Sequence, residues 1–279
     1  MALTAPSRSG DPWEFLAAHG DRLQVVPERG GLVTGWRCRG PWGEREMLYF
    51  DAERFADSSK SVRGGIPVLF PICGGLPGSL LPQHGFARDL PWQIAELADG
   101  SGVRLSLTAS SETLALFPHR FRLDLEFRLE PQALAVRALV SHTGTSDQAA
   151  LPFSLGLHPY FAVSDLSAVR LSGLPAQALD QAAGVSARTA DLLNRLPAGV
   201  DLLAGPAATV RLEAGSHAVT LETSAPLDLA VVWTDPPRPM VCLEPWTAGR
   251  GALNSGERLL MVQPGKSLEL SCRYRVEAL

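Results

Sequence analysis

Leu123-Asp124-Leu125-Glu126-Phe127-Arg128-Leu129-Glu130 places an apolar side chain at every odd position and a charged one at every even position. A two-residue period sends neighbouring side chains to opposite faces, so this stretch reads as a β-strand with one dry face and one wet face. The same alternation returns over 103–108, 210–213, 219–223 and 268–276. Glycine (26 residues) and proline (22) are scattered between these stretches, which suits short strands joined by turns. Helical periodicity is weak, at 11–19 and 182–193, with a turn or two at 111–117. The pattern predicts a mainly β chain of antiparallel strands, folded as a large sandwich or a closed barrel with few short helices. No linker-like shift in composition divides the 279 residues. The expectation is a single domain over 1–279, with 1–22 as an N-terminal extension and 162–207 as the least regular, peripheral part.

Composition narrows the partners. Lys and Arg number 25 against 29 Asp and Glu, and no basic block stands out, so nucleic acid is not an expected partner. No stretch reaches the roughly 18 uncharged apolar residues of a membrane span, and residues 1–10 lack the apolar segment of a signal peptide. Cys38, Cys73, Cys242 and Cys272 are far apart and form no metal-binding pair, so they read as core residues of a cytoplasmic protein that is a monomer or weak dimer.

Two nearly apolar segments each carry one ionisable side chain: Leu155-Gly-Leu-His158-Pro-Tyr-Phe161 and Met240-Val-Cys-Leu-Glu244-Pro-Trp246. Burial raises the pKa of a carboxyl and lowers that of an imidazole, which moves both towards neutral pH and suits a general acid and base pair. A third region, Arg63-Gly-Gly-Ile-Pro67 followed by Gln83-His-Gly-Phe-Ala-Arg88, sets cations and a histidine beside glycines that let backbone approach a ligand closely. His19, His119, His142 and His217 read as surface or turn residues. Phe70, Tyr160, Trp233 and Trp246 are aromatics of either a ligand-stacking surface or the core.

These four motifs, in this order, resemble the galactose mutarotase-like, or aldose 1-epimerase, family, and most closely its hexose-6-phosphate mutarotase branch. The turn Glu112-Thr-Leu-Ala-Leu-Phe-Pro-His-Arg-Phe121 is similar as well, and the likeness runs from about residue 23 to the C-terminus. It implies a β-supersandwich and an isomerase that interconverts the α and β anomers of a hexose or hexose 6-phosphate, with no cofactor and no metal. By resemblance, Glu244 is the base and His158 the acid of ring opening. His84 polarises the developing carbonyl, and Arg63 and Arg88 bind substrate oxygens or a 6-phosphate. Asp201 accepts hydrogen bonds from sugar hydroxyls, with Asp235 as its rival. Residues 75–82 carry no cation, so a third positive charge for a phosphate has to come from elsewhere, from Arg120 or Lys266. The alternative function is a non-catalytic carbohydrate-binding protein on the same fold.

Overall fold

The structure, a computed structural model, describes residues 2–8 and 10–279. Met1 and Ser9, within the expected 1–22 extension, lie outside the described residues. The chain is mainly antiparallel β. The 123–130 stretch is part of the strand Phe121–Glu130, which pairs with Ala133–His142 on one side and Gly102–Thr108 on the other. Phe121, Leu123, Leu125, Phe127 and Leu129 are buried, as the alternation requires. Glu126, on the opposite face, is also buried, because Arg104 and Arg128 donate to its carboxylate and Arg137 stands alongside.

Three larger sheets build the molecule. A five-stranded meander runs through Ala2–Thr4, Trp13–Leu16, Arg22–Val26, Leu32–Gly40 and Gly43–Glu46. The first eight-stranded sheet orders Arg170–Ser172, Thr209–Ala214, His217–Thr223, Ser267–Ala278, Ala133–His142, Phe121–Glu130, Gly102–Thr108 and Gln93–Glu96. The second orders Val185–Arg188, Gln177–Asp180, Asp201–Ala204, Leu229–Trp233, Met240–Trp246, Gly156–Leu157 and Val68–Leu69, with Tyr160–Ala162 also paired to Met240–Trp246. One buried apolar cluster extends from Phe15 to Val276 and includes residues of all three sheets.

Local expectations fared unevenly. Residues 13–16 form a strand rather than part of a helix over 11–19, because Trp13–Leu16 pairs in register with Arg22–Val26. Within 182–193 only Thr189–Leu193 is helical, since Val185–Arg188 is taken up as an edge strand against Gln177–Asp180. The turn at 111–117 is the helix Ser111–Leu116, started by a reciprocal capping box between Ser110 and Thr113. His142 and His217 are buried rather than at the surface. His142 accepts from the Gly144 N–H and bonds the Ala149 carbonyl, and His217 pairs with Arg45.

The strand Met240–Trp246 is buried at every position because both its faces are covered. Val241 and Leu243 point into the main core. Met240, Cys242, Glu244 and Trp246, two residues apart, share the other face.

Candidate active site

Cross-strand register builds the floor of one cavity. On adjacent strands Asp201 stands opposite Trp233, Trp233 opposite Cys242, and Val231 opposite Glu244, while Gly156 faces Trp246. Asp201, Val231, Trp233, Glu244 and Trp246 all line a polar cavity of about 140 Å³. His158 enters from the turn after Gly156–Leu157, anchored by its N–H to the Pro67 carbonyl at 2.9 Å. Arg63, His84 and Arg88 close the remaining walls. The six residues nominated from the sequence, Arg63, His84, Arg88, His158, Asp201 and Glu244, therefore border one space.

At its base, His158 Nε2 lies 3.3 Å from Glu244 Oε1. Glu244 is 1% exposed, and its Oε2 accepts from Trp246 Nε1 at 2.9 Å, leaving Oε1 towards the histidine. Burial pushes the Glu244 carboxyl well above the usual carboxylate range, against the stabilising Trp246 bond. Burial also pushes His158 well below the usual imidazole range, reinforced by His84 and the Arg88 guanidinium. Burial thus works against the charged form of each partner. The His158 ring stacks on Tyr160 at 4.8 Å and meets Trp233 edge-on at 5.7 Å, which fixes its plane.

His84 has a left-handed backbone, φ +67°, a conformation that costs a non-glycine residue energy and is held here by its surroundings. Its N–H bonds the Gly74 carbonyl at 2.7 Å, and the Gly74 N–H donates back to its Nδ1 at 3.0 Å. A ring nitrogen that accepts carries no hydrogen, so the neutral ring holds its proton on Nε2. Burial, then Arg88, Arg250 and Arg63, depress the His84 pKa to about 3 and keep it neutral. His84 is thus a fixed neutral donor.

The glycines after Arg63 serve packing rather than ligand contact. A Cβ on Gly64 would come within 2.5 Å of the Phe50 Cα, and one on Gly65 within 2.3 Å of the Val33 carbonyl oxygen. Their positive φ values, +132° and +68°, let the loop lie against two strands and point Arg63 across Trp233 at 5.4 Å. Arg63 Nε also reaches Asp235 at 3.4 Å, and Asp235 accepts from Arg238 at 2.8 Å. Asp235 therefore braces Arg63 from outside the cavity, whereas Asp201 lies on its wall.

Asp201 accepts from Gln181 Nε2 at 2.8 Å and from Arg250 Nη2 at 2.6 Å. Arg250 is the third cation of the cavity, a residue sequence reading passed over although Gly249-Arg250-Gly251 follows Trp246 by three positions. Neither Arg120 nor Lys266 lines the cavity. Their carbonyls receive the N–H groups of Thr143 and His142 in another part of the fold. Of the four aromatics, Tyr160, Trp233 and Trp246 line the cavity, while Phe70 packs in the core against Phe86, Phe121 and Phe153.

A neutral donor, a carboxyl–imidazole pair and three guanidinium groups around a small polar space suit an oxygen-rich, anionic or polyhydroxylated ligand. Among the described residues, His158, Cys242 and Glu244 also bring three metal-ligating atoms within 4.8 Å of one another.

Known proteins share this arrangement of the chain. The family model described as aldose 1-epimerase matches residues 15–275. The Slr1438 protein of Synechocystis sp. PCC 6803 is 33% identical, with 99% of this chain and 100% of that one superposed at a TM-score of 0.89. A galactose mutarotase related enzyme from Lactobacillus acidophilus has the same fold at 16% identity, with a TM-score of 0.77 over 95% of this chain and 97% of its own. The chain is 35% identical over 156 residues to an Escherichia coli protein named "Putative glucose-6-phosphate 1-epimerase". That stretch is 55% of this chain and 49% of the relative, so the chain spans about half the length of the curated relatives it matches.

Proposed function

The chain belongs to the aldose 1-epimerase family, and from that premise we propose that it is a mutarotase, interconverting the α and β anomers of a hexose or hexose 6-phosphate. The observation that carries this reading is the buried Glu244–His158 pair, 3.3 Å apart at the base of a cavity rimmed by arginine. In the proposed cycle Glu244 is the carboxylate and His158 the imidazolium once the sugar is bound. Glu244 then takes the proton of the anomeric hydroxyl while His158 gives its proton to the ring oxygen. The bond between the anomeric carbon and the ring oxygen breaks, and an open-chain aldehyde forms. Rotation about the bond to the next carbon turns the other carbonyl face to the ring oxygen. The same two groups close the ring with reversed roles, so protons and electrons balance over the cycle.

His84, with its hydrogen on Nε2, is assigned the donor role to the oxygen on which charge develops. Arg63 and Arg88 are assigned to the 6-phosphate or to hydroxyl oxygens at that end, and Asp201 to the sugar hydroxyls. Arg88 favours the phosphorylated substrate, because its buried Nε has no hydrogen-bond partner among the described residues and the Asp89 carboxylate stands 3.8 Å away. The main apolar cluster, which runs from Phe15 to Val276, supports the reading of a single domain.

Exchange spectroscopy between anomers, run on glucose, galactose and glucose 6-phosphate, tests the reading. Faster exchange than in buffer is expected, with the largest gain for the phosphosugar. Glu244→Gln and His158→Asn should each slow exchange by at least about 100-fold, the usual contribution of a positioned acid or base. Binding without acceleration of any sugar would leave a carbohydrate-binding protein instead.

A further inference from the structure

We propose that His158, Cys242 and Glu244 form a binding site for one thiophilic divalent cation of the Zn2+ or Cd2+ kind, and that its occupancy shuts the cavity to sugar. The binding half stands on geometry alone. The inhibition half rests on the acid–base reading above.

Three observations lead there. One ring nitrogen of His158, the Cys242 sulfur and a Glu244 oxygen lie within 4.8 Å of one another, all on buried residues. The strand presents Cys242 and Glu244 on the same face, and Cys242 pairs across to Tyr160, on whose ring His158 stacks. The 3.3 Å between His158 Nε2 and Glu244 Oε1 matches the edge of a tetrahedron with ~2.0–2.1 Å metal–ligand bonds. With a ~2.3 Å zinc–sulfur bond the third corner of a tetrahedron lies about 3.5 Å from the other two, so the Cys242 side chain closes in on the pair when the cation binds.

Two of the donor atoms, Glu244 Oε1 and His158 Nε2, face each other, and a cation would replace that contact. Trp246 occupies Oε2 of Glu244 and leaves Oε1. Among the described residues His158 Nδ1 has no hydrogen-bond partner, so the hydrogen of the neutral ring can sit there and leave Nε2 as the ligand atom. The Cys242 thiol donates to the Met240 thioether at 3.9 Å, a second soft donor next to the first. One nitrogen, one sulfur and one oxygen, with a fourth position open to the cavity, is the pattern of an accessible zinc site rather than of a calcium or magnesium site, which takes oxygen ligands. Charge sets the stoichiometry. Binding displaces the Cys242 thiol proton and any proton on Glu244 to solvent, the resulting thiolate and carboxylate offset the two charges of the cation, and Arg63 and Arg88 on the cavity wall repel any cation not so neutralised. The cation engages the same Oε1 and imidazole that the sugar is assigned, so cation and sugar compete.

Titration of the purified chain with Cd2+, followed by the near-ultraviolet absorption of a cadmium–thiolate bond, tests the site. One Cd2+ per chain with that absorption is expected. The absorption should vanish in Cys242→Ser, chosen to preserve packing, and persist in Cys73→Ser, which removes a neighbouring buried thiol. Glu244→Gln and His158→Asn, each verified as folded by circular dichroism, should weaken Cd2+ binding at least tenfold. No absorption in the wild-type chain, or an undiminished signal in Cys242→Ser, overturns the proposal. So does wild-type affinity in both Glu244→Gln and His158→Asn. In the exchange assay, Zn2+ should raise the apparent KM for sugar and a chelator should restore it, with Cys242→Ser insensitive relative to its own metal-free rate. Cadmium binding in a chain that accelerates no sugar upholds the site and removes the mutarotase reading. Exchange without cadmium binding does the reverse.

Discussion

Individual side chains divide into those that a motif announces and those that a fold recruits. Glu244 and His158 stand out in sequence because a lone charge in an apolar run is costly without a partner. The structure supplies each as the other's neighbour, at 3.3 Å. Arg250 escaped notice because nothing in a Gly-Arg-Gly loop distinguishes a cavity wall from a solvated turn. Only its 2.6 Å contact with Asp201, forty-nine positions away, reveals its place. Two outcomes follow at this scale. Arg88→Ala should raise KM for glucose 6-phosphate by about 10- to 100-fold, as expected for the loss of hydrogen bonds to a charged group, and raise KM for glucose much less. Anomer-exchange kinetics with both sugars measure the difference, and equal effects would remove Arg88 from the phosphate. His84→Ala should lower kcat by about 100-fold with little change in KM, as for the loss of a fixed donor to developing charge.

At the level of elements, the site depends on how closely short strands approach one another. Gly156 has no side chain because Trp246 lies over it: a Cβ there would stand 2.7 Å from Trp246 Cδ1 and 3.1 Å from the Cys73 sulfur. Gly156→Ala should therefore cost ~1–3 kcal/mol, as overpacking of a dense core does. It should also slow anomer exchange, because displacing Trp246 loosens its bond to Glu244 Oε2. Urea unfolding and the exchange assay together check this, and an unchanged midpoint would show that the strand pair has slack. The same scale explains where periodicity misled. The 11–19 stretch resembles a weak helix on its own, yet Trp13–Leu16 finds a paired strand in Arg22–Val26, and pairing outweighs local propensity. The 162–207 region reads as peripheral, but it supplies Asp201 to the cavity and Gln181 to hold it.

Across the whole molecule, the sheets are tied by polar as well as apolar contacts, and one of these ties responds to acid. His217, on a strand of the first eight-stranded sheet, pairs through Nδ1 with Arg45 of the five-stranded sheet at 2.7 Å. Burial and then Arg45 depress its pKa to about 4. An unfolded histidine titrates near ~6.5, so below that pH the unfolded chain binds the proton that the folded chain refuses. The stability from this neutral histidine is complete above pH ~6.5 and is lost as pH falls towards about 4. Urea midpoints should fall over that window, and His217→Gln should flatten the decline. An equally steep fall in the variant would place the acid sensitivity elsewhere. The sequence by itself determined the mainly β, antiparallel character of the chain, because strand periodicity is local and is repeated many times over. It also singled out Glu244 and His158, as lone ionisable residues in apolar runs, and the glycine-flanked Arg63, His84 and Arg88, whereas Asp201 came from family resemblance. Tertiary structure alone decided which strands neighbour one another and that Asp201 rather than Asp235 lies on the wall. It also brought in Arg250 and placed Cys242 beside the Glu244–His158 pair. Those facts depend on register between segments tens to hundreds of residues apart, which no local pattern encodes.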